Sequence, residues 1–182
     1  MNRSCKLIVI LGAPYSGKTT IIEQFIAKEK EKTLIVVPDD KDWINIFTID
    51  NMEAERFTYK GIKKRIWEDN SDLKSIFERF SDGLLVFEDC RPLFHPSLEK
   101  YLHLLLSRKR QGRRDIIASA HGFTEVPPKF FTFATEFVLF NTLDSIASRK
   151  DVIKEYDQVK ALQTFVNEKA KHDPHFCRSF KR

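Results

Sequence analysis

Gly12-Ala13-Pro14-Tyr15-Ser16-Gly17-Lys18-Thr19 follows the apolar run Leu7–Leu11 and is itself followed by Thr20. Glycines at both ends of such a loop let the backbone wrap closely round an anion with its N–H groups pointing inward. A lysine at its end reaches the β- and γ-phosphates of a nucleoside triphosphate, and the hydroxyl beside it ligates Mg²⁺. The eight residues match the Walker A pattern, which average residue usage would produce by chance in well under about 1% of chains this long. A plain strand–turn–helix would not require Lys-Thr there. The spacing therefore predicts ATP and Mg²⁺ as cofactors. Gly12, Ala13, Pro14, Tyr15, Ser16, Gly17, Lys18, Thr19 and Thr20 are expected round the phosphates, with Lys18 catalytic and Thr19 on the metal. Tyr15 would approach the nucleotide or a neighbouring subunit, and the sequence does not choose between them.

Leu84-Leu85-Val86-Phe87-Glu88-Asp89 is an apolar run ending in adjacent carboxylates. It has the form of a Walker B strand, where one carboxylate serves near Mg²⁺ and another orients or deprotonates the attacking water. Hydrolysing ATPases usually have Asp then Glu, and here the order is reversed. We expect Glu88 on the metal side and Asp89 near the water.

Arg108, Lys109, Arg110, Arg113 and Arg114 crowd a predicted helix end, a turn at Gly112 and the start of the strand Asp115-Ile116-Ile117-Ala118-Ser119-Ala120. One or two cations at a helix C-terminus are accounted for by the macrodipole. Five exceed that need. Two readings stand beside a solvated face: an arginine finger projected onto a neighbouring subunit's ATP, for which we take Arg110 although the sequence does not single out one arginine, and arginines contacting DNA phosphates.

With these residues in place, the chain resembles the FtsK/HerA superfamily of P-loop ATPases. It is most similar to the small viral genome-packaging ATPases and the Zot-like assembly ATPases of filamentous phages. The specific likeness lies in Arg110-Gln111-Gly112-Arg113-Arg114-Asp115 and in the following Ser119-Ala120-His121-Gly122-Phe123-Thr124-Glu125-Val126-Pro127-Pro128, within a resemblance covering about residues 5–145. The family strand usually ends in a polar sensor, often Gln. Here His121 or Ser119 stands in its place. The resemblance implies a hexameric or pentameric ring that moves DNA through a central pore, with a capsid or other viral partner possible.

These motifs need a scaffold. Apolar runs at 6–11, 33–38, 84–88, 115–120 and 136–140 read as strands, with a possible short strand at Ile46–Ile49 and another near the end of the chain. Residues 18–30, 97–110 and 151–171 read as helices. Ile62, Ile66, Leu73, Ile76, Phe77 and Phe80 suggest a helical stretch over 59–80, broken around Asn70–Ser71. Strands apolar throughout that alternate with helices predict an α/β, RecA/FtsK-like P-loop NTPase fold, with a mainly parallel sheet flanked by helices. Ligands of such sheets sit at the carboxyl ends of the strands, where each motif falls.

The 182 residues, 42% hydrophobic and 31% charged, suit one domain with a C-terminal helix and tail over 151–182. No apolar run nears the roughly 20 residues of a membrane helix. Arg3 and Lys6 precede a run too short for a signal peptide, so a cytoplasmic protein is expected. The three cysteines, Cys5, Cys90 and Cys177, are widely spaced and read as reduced thiols. His172-Asp173-Pro174-His175 with Cys177 lacks a second ligand pair and reads as a polar turn. Trp43, Trp67 and the phenylalanines at 130, 131, 133, 137 and 140 read as packing residues, the phenylalanines in the core or at a subunit interface. The net charge of +5 is compatible with a polyanionic partner. A small nucleoside or nucleotide kinase is the main competitor, although its arginines would lie in a lid between helices. A Zot-like protein would carry a membrane span after the ATPase domain. A GTPase would need an Asn-Lys-x-Asp motif.

Overall fold

The computed structural model describes residues 5–29, 31–39, 41–50, 56–67, 70–91 and 95–182. Arg3 and Lys30 lie outside them. The strands are β1 (Leu7–Leu11), β2 (Lys32–Val37), β3 (Gly61–Ile66), β4 (Gly83–Phe87), β5 (Arg114–Ala120), β6 (Glu136–Leu139) and β7 (Arg178–Lys181). They form one sheet in the order β3-β2-β4-β5-β1-β6-β7. All neighbours pair in parallel except β6 and β7, which are antiparallel. The helices are α1 (Lys18–Ile26), α2 (Asn70–Arg79), α3 (Glu99–Ser107), α4 (Pro128–Phe133) and α5 (Tyr156–Ala170).

Side-chain alternation divides the core in two. Leu7, Val9 and Leu11 of β1 join Leu85, Phe87, Ile116 and Phe137 on one face, under α2–α5. Ile8 and Ile10 join Ile35, Val86, Ile117 and Phe140 on the other, under Ile22 and Ile26 of α1. The central strands β1, β4 and β6 are buried along their whole length, hence their unbroken apolar runs. The phenylalanines are core residues: Phe130, Phe131 and Phe137 lie under the α2–α5 layer, Phe140 under α1, and Phe133 packs half-buried against the first.

The expected helix over 59–80 is corrected. Its first part is the edge strand β3, and only Asn70–Arg79 is helical. Ile62 and Ile66 are four apart, a separation that serves one face of a helix and one face of a strand equally. Lys63 and Arg65 between them are half-buried, while Lys64 is buried and donates from Nζ to Asp42 O at 3.1 Å. Near this edge, the strand expected at Ile46–Ile49 is a single parallel bridge from Thr48 to Lys64.

The closing helix starts at Tyr156, five residues later than expected, because turns occupy 150–152 and 154–155 between the 3-10 turn Ile146–Arg149 and the helix. The strand foreseen near the C-terminus is β7. After it, Arg182 donates from Nη1 to the carbonyls of Phe131 and Ala134, both at 2.9 Å, and pairs with Glu155. Arg182 is therefore structural.

Gly12 is required by close approach. A Cβ there would lie 2.5 Å from Phe140 Cβ and 2.7 Å from Ser16 Oγ. Gly12→Ala is expected to destabilise the chain by about 1–3 kcal/mol through overpacking, read as a lower urea midpoint at unchanged m-value.

Candidate functional site

The chain leaves β1 into the phosphate loop, which is fixed from both neighbouring strands. Gly12 donates its N–H to Ala120 O at 3.2 Å, and Ala13 donates to Asn141 O at 2.7 Å. Gly17 at φ 103 and Tyr15 at φ 61 make the left-handed turns that bring the backbone into α1. Ser16 Oγ is buried with no hydrogen-bond partner. Tyr15 is 95% exposed and touches no part of the core. Pro14 and Thr20 are exposed.

Lys18 lies inside the loop. Its ammonium donates to Gly12 O at 2.6 Å and Ala13 O at 3.0 Å, and lies 3.3 Å from His121 Nδ1. An ammonium can only donate, so in this contact Nδ1 is the acceptor. Burial lowers the Lys18 pKa, opposed by the carboxylates of Glu88, Glu125 and Asp89. His121 reaches this position because β5 lies between β1 and β4. The end of β5 therefore opens between the phosphate loop and the acidic strand end. Of the two sensor candidates, His121 meets Lys18, whereas Ser119 is buried within the strand with its hydroxyl unpartnered.

The loop after His121 is held from several sides. The His121 N–H donates to Glu125 Oε2 at 3.0 Å. Thr124 donates to Asp144 Oδ2 from its N–H at 2.8 Å, and Arg149 donates to the carbonyls of Phe123 and Thr124 at 2.9 Å each. Gln163 of α5 in turn donates to Thr142 Oγ1 at 2.7 Å and Asp144 O at 2.8 Å. The long helix thus holds the loop after His121 through the segment after β6.

The two acidic residues after β4 diverge. Glu88 Oε1 lies 3.5 Å from Thr19 Oγ1, its hydrogen-bond donor, while Glu88 Oε2 accepts from Trp43 Nε1 at 2.7 Å. Burial raises the Glu88 pKa; the Trp43 hydrogen bond opposes it. Asp89, at φ 58, turns away and receives Arg91, with Nε at 3.1 and 3.0 Å from its two oxygens and Nη2 at 2.6 Å from Oδ2. Burial pushes the Asp89 pKa up, but the side-chain and backbone hydrogen bonds from Arg91 outweigh it and hold Asp89 below its ordinary value. Arg91 also lies 3.9 Å from Glu125.

Thr19 and Glu88 suit Mg²⁺ chemically, being a hydroxyl and a carboxylate whose oxygens converge. Among the described residues no three His, Cys, Asp or Glu side chains gather as a cation cage. One carboxylate and a hydroxyl are ligands that a Mg²⁺ shared with substrate phosphates would use.

Arg110 does not join this group. It is exposed in the turn before β5, at the amino edge of the sheet. The other basic residues of its segment divide. Lys109 is buried, with Nζ 3.4 Å from Phe133 O, and Arg113 pairs with Asp82 at 3.1 Å. Arg114 is buried, and Arg108 is exposed.

Trp43 and Arg91 lie in none of the motifs, and Glu125 lies within the quoted 119–128 segment without a role of its own. Trp43 packs half-buried against the core under α1, as its packing reading has it, and its indole N–H also binds Glu88. The polar turn at 172–175 also comes close, since His175 Nδ1 lies 3.6 Å from where a Cβ on Gly17 would stand.

No protein-family model and no curated protein matches the chain. Solved structures do. The genome packaging NTPase B204 from Sulfolobus turreted icosahedral virus 2, in complex with AMP, matches over 100% of this chain and 94% of its own, with a TM-score of 0.70 and 15% identity. The same NTPase in complex with AMPPCP matches over 97% of both chains, with a TM-score of 0.67 and 14% identity. B204, the DNA-packaging ATPase from Sulfolobus turreted icosahedral virus, matches over 100% of this chain and 98% of its own, with a TM-score of 0.63 and 15% identity. At these identities the likeness is one of architecture: this chain has the P-loop NTPase-like fold of these packaging NTPases.

Proposed function

We propose that the chain is a single ATPase domain that hydrolyses ATP with Mg²⁺ and, assembled as a homo-oligomeric ring, moves DNA in viral genome packaging. The observation that carries this reading is the meeting of Lys18, His121, Thr19 and Glu88 at one edge of the sheet, with an exposed Arg110 at the other. The names of the structural neighbours, packaging NTPases in complexes with AMP and AMPPCP, support it.

In this reading the loop N–H groups and Lys18 hold the triphosphate. Lys18 exchanges its carbonyl partners for phosphate oxygens. Thr19 and Glu88 would hold Mg²⁺, which would supply charge neutralisation on the phosphates. Asp89, kept ionised by Arg91, orients the attacking water. His121, beside Lys18, registers the outer phosphate and passes its position to the 121–126 loop. Arg110 stabilises charge on the γ-phosphate of the next subunit. Among the described residues no helix is long and apolar enough to cross a membrane.

The test is ATP turnover with and without DNA, with the oligomeric state recorded in the same samples. Turnover that rises with assembly and with DNA supports the motor. Turnover by a monomer that ignores DNA and requires a nucleoside acceptor replaces it with a kinase. Glu88→Gln keeps the shape and the Trp43 partner but loses the charge. It is expected to lower turnover about 10²–10⁴-fold while nucleotide still binds, as equilibrium binding and single-turnover assays would read. Unaltered turnover would remove Glu88 from the reaction.

A further inference from the structure

The amino edge of the sheet holds a second cleft, of about 560 Å³, lined by Arg79, Arg108 and Arg114 with Ser81, Gln111 and Tyr101 among others. Glu78 is the acidic residue in its lining. Arg114 is only 8% exposed, and its Nε is buried without a hydrogen-bond partner. Among the described residues its guanidinium makes one hydrogen bond, from Nη1 to Phe77 O at 3.4 Å. The nearby Asp82 carboxylate pairs with Arg113 instead, at 3.1 Å. A buried cation with unused donors is costly unless an anion completes it.

The local backbone is built round this guanidinium. A Cβ on Gly112 would stand 2.2 Å from Arg114 Nε and 2.5 Å from its Cζ, so only glycine lets the side chain lie against the turn. Arg108 and Gln111, both exposed, flank the same cleft. Guanidinium forks match the paired oxygens of phosphate, which a lysine's point charge does not. The one lysine of this segment, Lys109, points instead to Phe133 O.

We propose that Arg108 and Arg114, with Arg79 and Gln111, form a phosphate-binding pocket at the sheet edge opposite the phosphate loop. The chemistry fits a phosphodiester of a nucleic-acid strand or a free phosphate, and the pocket does not depend on the ATPase reading.

The test is an amide NMR titration of the full chain with inorganic phosphate, which separates this pocket from the phosphate loop by residue. Saturable shifts at Ser81, Gln111 and Gly112 are expected. Arg108→Gln, an exposed change, should weaken them about tenfold or more while the rest of the spectrum is retained. Gly112→Ala should weaken them too, by displacing Arg114. In a second arm, a short single-stranded oligonucleotide that moves the same amides at lower concentration identifies the source as phosphodiester. An oligonucleotide that leaves them unmoved, while phosphate shifts them, identifies free phosphate. Shifts confined to residues 12–19, or an affinity that Arg108→Gln leaves unchanged, would overturn the pocket.

Discussion

Lys18→Ala is expected to lower ATP turnover by about 10³-fold, the scale lost when a preorganised donor to developing charge is removed. The ammonium is already placed at the loop, 2.6 Å from Gly12 O and 3.3 Å from His121 Nδ1, so it moves little to meet a phosphate. Stability should respond differently. Burial lowers the Lys18 pKa, so the folded state disfavours the charged side chain. That cost is fully present below the lowered pKa and disappears as pH rises through the window between the folded and unfolded values. Denaturation midpoints at neutral pH should therefore show the variant at least as stable as the wild type. The wild type should regain ground at alkaline pH. A variant that unfolds at neutral pH would mean that Lys18 serves the fold, and normal turnover would sink the proposed mechanism.

The parts of the site read directly from sequence are those made by contiguous residues. The phosphate loop and the acidic strand end each follow a strand too apolar to be mistaken, because β1 and β4 are buried on both faces. Contacts made by tertiary folding left no such trace. Trp43 and Glu88 are 45 positions apart, and Lys18 and His121 are 103 apart. Nothing local to Trp43 distinguishes an indole that binds a carboxylate from one that fills a core. Edge strand β3 was illegible for another reason. Only Lys64 of its six residues is buried, so it needs few apolar residues, and those it has sit at a spacing shared with helices. The basic segment was visible as a charge cluster, but its division was not. Burial turns Lys109 and Arg114 inward and Asp82 engages Arg113, leaving Arg108 and Arg110 exposed.

That division sharpens the second large effect. Arg110→Ala is expected to reduce turnover by about 10³-fold or more if it serves as the finger of the proposed ring. It cannot act on its own subunit's phosphates. The seven residues of β5 separate it from His121, a run of about 20 Å at the rise of a strand. Only a heterologous contact, amino edge of one copy against carboxyl edge of the next, brings the two together, and repetition of that contact gives a ring where its rotation closes. The geometry makes a quantitative demand. Lys18→Ala and Arg110→Ala should each be inert alone. Mixed in equal amounts, they should regain about a quarter of wild-type turnover per subunit if copies exchange at random and sites act independently, because an Arg110→Ala site then meets an intact arginine from a Lys18→Ala neighbour. Each half of the site is intact on a different chain, so recovery can come only from the interface. An inert mixture in which exchange is demonstrated, by fluorescence transfer between labelled copies, would exclude Arg110 as an arginine acting across subunits. A Lys18→Ala chain that is inert beside a fully active Arg110→Ala chain would keep the ATPase and discard the finger.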